Sequence, residues 1–157
     1  MIKQALYFAY GSNLDTEQMK RRCPGAKIIG PATMKDHRLI FRGVADIEPN
    51  PGSEVQGGLW AITDKCLEAL DRYEGYPTLY DRLWFEVEQP GEAKKRMALV
   101  YVMQSGGYSA PSGSYLNTIA RGYKDFGLDL RTLIQATEDT EVASRYRKTS
   151  GGQLTII

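Results

Sequence analysis

Glu74 stands in the run Leu70-Asp71-Arg72-Tyr73-Glu74-Gly75-Tyr76-Pro77, a carboxylate set among aromatic residues. Loss of solvent at such a place raises its pKa, because burial penalises the charged form. An exposed glutamate near 4.3 would take a proton from an α-ammonium near 8 at a penalty of about 5 kcal/mol, and burial shrinks that penalty. Glu74 is therefore a candidate general base. The plainer alternative is a surface ion pair with Arg72 or Arg82, the commoner fate of a glutamate. A second candidate is Tyr10-Gly11-Ser12-Asn13, which puts a glycine, a hydroxyl and an amide where a strand gives way to a helix. Backbone N–H groups converge at such a point and suit an anion, a carboxylate for example. Taken alone, the same residues are more often ordinary turn chemistry. A third cluster, Gly107 to Tyr115, is dense in small polar residues and ends by capping a helix begun at Tyr115, or is simply a loop.

Other reactive residue types lack the company their chemistry needs. His37, the only histidine, lies in a strand-like stretch without a matching nucleophile and is expected to be structural. Cys23 and Cys66 have packing explanations, and a catalytic thiol needs a basic partner. Ser12 has no implied histidine or lysine base, which argues against a serine nucleophile. Trp60 and Trp84 fall in strand patterns and are expected in the core or a pocket wall rather than as a stacking platform for nucleic acid.

The elements that must position these residues follow from periodicity and punctuation. Ala5-Leu6-Tyr7-Phe8-Ala9 is a short apolar run ending before Gly11, a buried strand that delivers the turn. Asp15 caps a helix over 16–23, stopped by Pro24-Gly25. Lys27 to Phe41 and Gln56 to Ile62 read as strands, with Glu48-Pro49-Asn50-Pro51-Gly52 between them as a surface loop. Thr63 or Asp64 starts a second helix carrying Cys66, Leu67, Leu70 and Tyr73 at helical spacing, ended by Gly75 and Pro77. Glu74 then sits on or just past its last turn. Tyr80 to Val87 and Met97 to Met103 are adjacent strands joined through Pro90-Gly91-Glu92-Ala93. Helical spacing returns through Tyr115, Ile119, Gly122 and Phe126, and again briefly through Leu128, Leu130, Leu133 and Ile134. The polar stretch from Glu138 to Gln153 suggests a mobile tail. These steps favour an α+β fold, a small mixed, largely antiparallel β-barrel with short helices around it. The expected division is one domain over 1–140 and a C-terminal tail over 141–157.

Bulk properties narrow the partners. The chain has 157 residues, with 20 Lys and Arg against 19 Asp and Glu for a net charge of +1. That is one domain's length, and interspersed charge argues against nucleic acid or an anionic membrane. Neither cysteine forms a CxxC pair or lies near the histidine, so a Cys/His metal site is not expected. The early apolar stretch is too short for a signal peptide or a membrane span, which points to a cytoplasmic protein. The basic patch Arg145 to Lys148 is a candidate tether to a protein partner, and a homodimer is compatible with everything above.

Several of these features line up with one family. Tyr10-Gly11-Ser12-Asn13-Leu14, then Met19 with Arg22-Cys23-Pro24, then Leu70-Asp71 with Glu74-Gly75, then Tyr80, and then Pro111-Ser112 with Tyr115-Leu116, Ile119, Gly122 and Gly127-Leu128, together resemble the γ-glutamylcyclotransferase family. The resemblance spans about residues 6 to 130 and rests on five motifs in order. It implies an enzyme that cyclises a γ-glutamyl amide (of an amino acid, an amine or a protected metabolite) to 5-oxoproline and releases the free amine, with no metal or organic cofactor. It also implies that Tyr10, Gly11, Ser12, Asn13 and Leu14 hold the γ-glutamyl end, that Glu74 is the acid/base, and that Tyr80 and Tyr115 line the pocket. Glutathione is less favoured as substrate, since the branch specific for it differs at the position of Asn13. The alternative on the same fold is a non-catalytic module binding a small acidic ligand or a protein; a buried carboxylate at Glu74 speaks against it.

Overall fold

The computed structural model describes residues 4–103, 106–148 and 154–156. Strand β1 (Ala5–Ala9) leads through a single 3-10 turn (Ser12–Leu14) into helix α1 (Thr16–Arg22). Then follow β2 (Lys27–Phe41), β3 (Ala45–Ile62), α2 (Asp64–Glu74), β4 (Tyr80–Val87), β5 (Arg96–Met103), α3 (Gly113–Phe126), α4 (Leu130–Ser144), β6 (Tyr146–Lys148) and β7 (Leu154–Ile156). No helix among the described residues is long and apolar enough to cross a membrane.

β1 lies at the centre of a five-stranded sheet ordered β2-β3-β1-β5-β4. A strand covered on both faces need not alternate polar and apolar residues, which is why Ala5–Ala9 reads as a continuous apolar run. Every ladder is antiparallel except that between β1 and β5, where Tyr7 pairs with Leu99. The sheet curls until Thr33 of β2 and Glu88, just past β4, exchange two backbone hydrogen bonds of 2.8 and 2.9 Å. The two outer strands meet at that single bridge and not along a ladder. The expected α+β class and antiparallel character hold, but the sheet is not a closed barrel.

The proline-rich stretch corrects the expected loop. β3 runs unbroken from Ala45 to Ile62, and the prolines are accommodated because β1 pairs only with Gly58–Ile62, leaving the earlier part of β3 with one neighbour, β2. A residue without an N–H is tolerated on such an edge. The ladder still slips here: Lys35 pairs with Glu54 and His37 with Pro49, so residues 50–53 bulge opposite Asp36 alone. Asp36 adopts a positive φ of 59°, and its carboxylate accepts the Gly52 N–H at 3.0 Å.

Helix α4 corrects the expected tail. Of the residues read as its apolar face, Leu130 and Ile134 are about half exposed, whereas Leu133 faces the core together with Ala136 and Thr140. A stripe ending in an alanine and a threonine carries little hydrophobic signal, so the helix reads as shorter than it is. The expected domain boundary at residue 140 falls inside it, and residues 149–153 of the expected tail lie outside the described residues. The Thr140 hydroxyl accepts the Phe41 N–H at 2.9 Å and donates to the Ala136 carbonyl at 2.8 Å. Thr140→Val keeps the shape but strands the Phe41 N–H, and should cost about 1–3 kcal/mol in urea unfolding. A loss below about 0.5 kcal/mol would show that this half of α4 unfolds apart from the sheet.

Candidate active site

β1 ends at the centre of the sheet and hands the chain to the turn. Leu14 N–H bonds to Gly11 O at 3.0 Å and Asp15 N–H to Ser12 O at 3.1 Å, while the Asp15 carboxylate caps α1 by accepting from the N–H groups of Glu17 and Gln18. Ser12 and Asn13 are thereby buried, at 7% and 2% exposure. The N–H groups that open such a turn have no partner within it and face whatever lies before it.

Glu74 is placed by helical spacing. Cys66 and Leu70, at 3% and 0% exposure, hold α2 against the core, and Glu74 follows Leu70 by four residues on the same face. Thr63 caps the start of α2 through the Cys66 N–H, and Gly75 ends it in the left-handed conformation at φ 67°, letting the chain turn away immediately after the carboxylate.

These elements enclose a cavity of about 190 Å³ lined by Gly11, Ser12, Asn13, Val44, Ala45, Glu74, Leu79 and six tyrosines: Tyr7, Tyr10, Tyr73, Tyr80, Tyr101 and Tyr115. Of the residues expected to contact substrate, Tyr10, Gly11, Ser12, Asn13, Tyr80 and Tyr115 lie on its wall together with Glu74. Leu14 does not. It is fully buried with its Cβ against α3, so its place in the motif reflects packing of the turn rather than contact with a ligand.

Burial raises the Glu74 carboxyl from its ordinary value to about 7, with the positive charge of Arg22 working in the opposite direction. Among the described residues its oxygens have no ion-pair or hydrogen-bond partner, which removes the surface ion pair as an explanation of this glutamate. Arg82 pairs with Asp71 instead. The tyrosines are driven upward, chiefly by burial, Tyr115 to about 12 and Tyr7, Tyr10, Tyr80 and Tyr101 also well above the usual phenol. Near neutral pH they are protonated, so the cavity holds one titrating carboxylate facing neutral O–H groups.

Most hydroxyls are fixed by partners. Tyr10 donates to the Tyr101 carbonyl, Tyr80 to the Ala45 carbonyl at 2.7 Å, and Tyr101 to Asp71 Oδ1 at 2.7 Å. Tyr115 Oη accepts the Ala45 N–H at 3.0 Å, and Tyr7 Oη accepts from Asn13 Nδ2 at 3.0 Å. Arg22 closes the back of the turn, donating to Asn13 Oδ1 and, at 3.3 Å, to Ser12 Oγ, with its guanidinium 3.2 Å above the Tyr73 ring. Sequence reasoning passed over Tyr7, Tyr73, Tyr101 and the supporting Arg22. A phenol inside an otherwise apolar buried strand was the available signal, because its O–H must find a partner.

His37, the two cysteines and the two tryptophans stay outside this wall. His37 Nδ1 lies 2.9 Å from the Lys35 carbonyl and the ring meets Phe85 edge-on. Burial pushes the Cys23 thiol up to about 12. Trp60 is buried, as expected, while Trp84 is 55% exposed and lines two surface clefts rather than the core or the cavity that holds Glu74.

A general base near neutrality, protonated donors and an N–H turn suit proton transfer and stabilisation of an oxyanion. Comparisons with known proteins agree. The family described as gamma-glutamyl cyclotransferase, AIG2-like, matches residues 7–117. The gamma-glutamylcyclotransferase of Homo sapiens is 34% identical over 138 residues, covering 80% of this chain and 73% of that protein. The Mus musculus protein of the same name is 32% identical over 151 residues, covering 87% and 80%. A solved gamma-glutamyl cyclotransferase structure superposes with a TM-score of 0.77 at 31% identity, over 85% of this chain and 86% of that one. Motif, fold and cavity thus converge, and the chain belongs to the γ-glutamylcyclotransferase family, an enzyme of the cyclotransferase kind.

Proposed function

We propose that the cavity holds a γ-glutamyl amide curled so that its α-nitrogen faces its own γ-carbonyl carbon, with Glu74 as the single acid/base. The carboxylate takes a proton from the α-ammonium. The freed amine forms a C–N bond to the γ-carbon, the carbonyl electron pair moves to oxygen, and collapse of that oxyanion breaks the bond to the outgoing nitrogen. Glu74 returns its proton to that nitrogen, and as the ring nitrogen becomes an amide it gives up its second proton, again through Glu74, to the released amine, so 5-oxoproline and the ammonium form of the amine leave and the enzyme is unchanged.

The observation that carries this reading is the Glu74 carboxyl, raised to about 7 on the wall of a cavity whose other polar groups are neutral. A base at that pKa removes a proton from an ammonium near 8 at a cost of only about 1–2 kcal/mol. Because nucleophile and electrophile share one molecule, holding the chain folded supplies much of the acceleration. In this reading the N–H groups of Ser12 and Asn13, on the cavity wall, take the glutamyl carboxylate, and the leaving group lies towards Tyr73 and Leu79, both about half exposed.

The test is release of 5-oxoproline from a panel of γ-glutamyl amino acids and γ-glutamyl amines. Product from at least one member is expected, and the best substrate names the leaving group. Binding by calorimetry without product from any of them would replace this reading with a binding module.

A further inference from the structure

Hydrogen-bond direction sorts the hydroxyls around the turn. A phenol has a single hydrogen to give, a guanidinium only donates, and an amide accepts at oxygen and donates at nitrogen. Arg22 sits on the oxygen of Asn13, which fixes the amide's orientation and turns its nitrogen toward Tyr7. Tyr7 therefore receives a hydrogen and, among the described residues, has no acceptor for its own. Tyr7 forms part of the cavity wall, so that hydrogen is left for a group bound inside it. Tyr10, Tyr80 and Tyr101 differ, since each spends its hydrogen on a protein oxygen. Tyr115 also accepts, from the backbone N–H of Ala45, but Tyr7 is the one whose partner is a side-chain amide held by a charged group.

Arg22 is well placed for a supporting part. It is partly buried, stacked on Tyr73, and not ion-paired with any carboxylate among the described residues. A guanidinium in that position polarises the amide it grips, and hydrogen bonds in series strengthen one another.

We infer that Arg22, Asn13 and Tyr7 form a directional relay, in which Arg22 is a positioning residue and Tyr7 a catalytic residue that donates its O–H to the γ-carbonyl oxygen as charge develops there. The inference rests on the cyclisation proposed above. It also assigns Asn13 a second duty beyond lining the cavity, that of transmitting the orientation set by Arg22.

The experiment compares Tyr7→Phe, Arg22→Lys and the double variant on the best substrate, reading kcat and KM separately. Lysine keeps the positive charge but is a point donor that cannot both grip Asn13 and stack on Tyr73. Tyr7→Phe is expected to lower kcat about a hundredfold or more with KM little changed, as for other oxyanion donors. Arg22→Lys is expected to lower kcat about tenfold or more, and the double variant should be no slower than Tyr7→Phe alone, because without the hydroxyl nothing is left to aim. Melting curves taken alongside separate these effects from misfolding. Wild-type kcat in Tyr7→Phe, or losses that multiply in the double variant, would overturn the relay. Absence of 5-oxoproline even from wild type would overturn the cyclisation reading and the relay with it, and is distinguished by that control.

Discussion

Glu74→Gln is expected to lower kcat by at least a factor of about a hundred while the protein remains folded. Glutamine preserves the shape of the side chain and removes the only cavity-lining carboxylate among the described residues. The companion result is a pH profile. Only deprotonated Glu74 accepts a proton, so wild-type kcat/KM should rise with pH through a limb near 7, the value to which burial lifts this carboxyl. In Glu74→Gln that limb should vanish along with the activity. An unchanged kcat would remove Glu74 from the mechanism.

The same residue makes a stability prediction of the opposite sign. A carboxyl raised from 4.5 to about 7 binds its proton more tightly in the folded than in the unfolded chain. Between those two values the folded state holds more protons, so stability falls as pH rises through this window, and the deficit is complete above about 7. Its size is on the order of 2–3 kcal/mol, reduced by the partial solvent access the cavity gives. Glu74→Gln lacks this term. It should melt several degrees above wild type at pH 8, with the gap closing towards pH 4.5, a pattern that chemical denaturation across pH would also show. Such a trade of stability for function is usual at active sites.

The second large effect is expected from Gly122→Ala. Gly122 is buried on α3 where that helix crosses the turn bearing Ser12 and Asn13. A Cβ there would lie 2.3 Å from Leu14 Cβ, 2.4 Å from Leu14 C and 2.7 Å from Asp15 N. Two of those atoms are backbone, so no rotamer change relieves the overlap, and either α3 or the turn must move. The cost should be about 3 kcal/mol or somewhat more, the upper range for overpacking, which for a domain of this size lowers Tm by on the order of 10 °C. Activity should fall further than stability accounts for, because Leu14 and Asp15 continue the segment that holds Ser12 and Asn13. Assayed well below its melting temperature, the variant is expected to bind substrate more weakly. A melting point within about 2 °C of wild type would show that α3 shifts freely and that the close approach does not place the turn.

Much of this was readable along the chain where local rules decide the outcome. Asp15 and Thr63 announce helix starts through their capping chemistry, and Gly75 announces a stop because only glycine takes the left-handed turn without strain. The spacing of Cys66, Leu70 and Glu74 already places the carboxylate on the inward face of α2. Pro49 and Pro51 misled, because whether a proline ends a strand depends on which edge has a neighbour, and that is settled by β1 pairing with only the last residues of β3. The length of α4 was hidden for a similar reason: Thr140 belongs in the core only because the Phe41 N–H is there to meet it.

The element order, the strand-to-turn-to-helix junction at Tyr10 to Asn13 and the singling out of Glu74 among the carboxylates are written in the order of residues along the chain. All of these follow from interactions within a few residues of chain. Folding in three dimensions is what brings Glu74, six tyrosines and the turn to one cavity, sets Leu14 behind it, and lets Arg22 reach through Asn13 to Tyr7. Those contacts join residues from separate strands and helices. Their desolvation, which raises the carboxyl towards 7 and keeps the phenols neutral, exists only once the sheet has curled and α2 and α3 have closed over it.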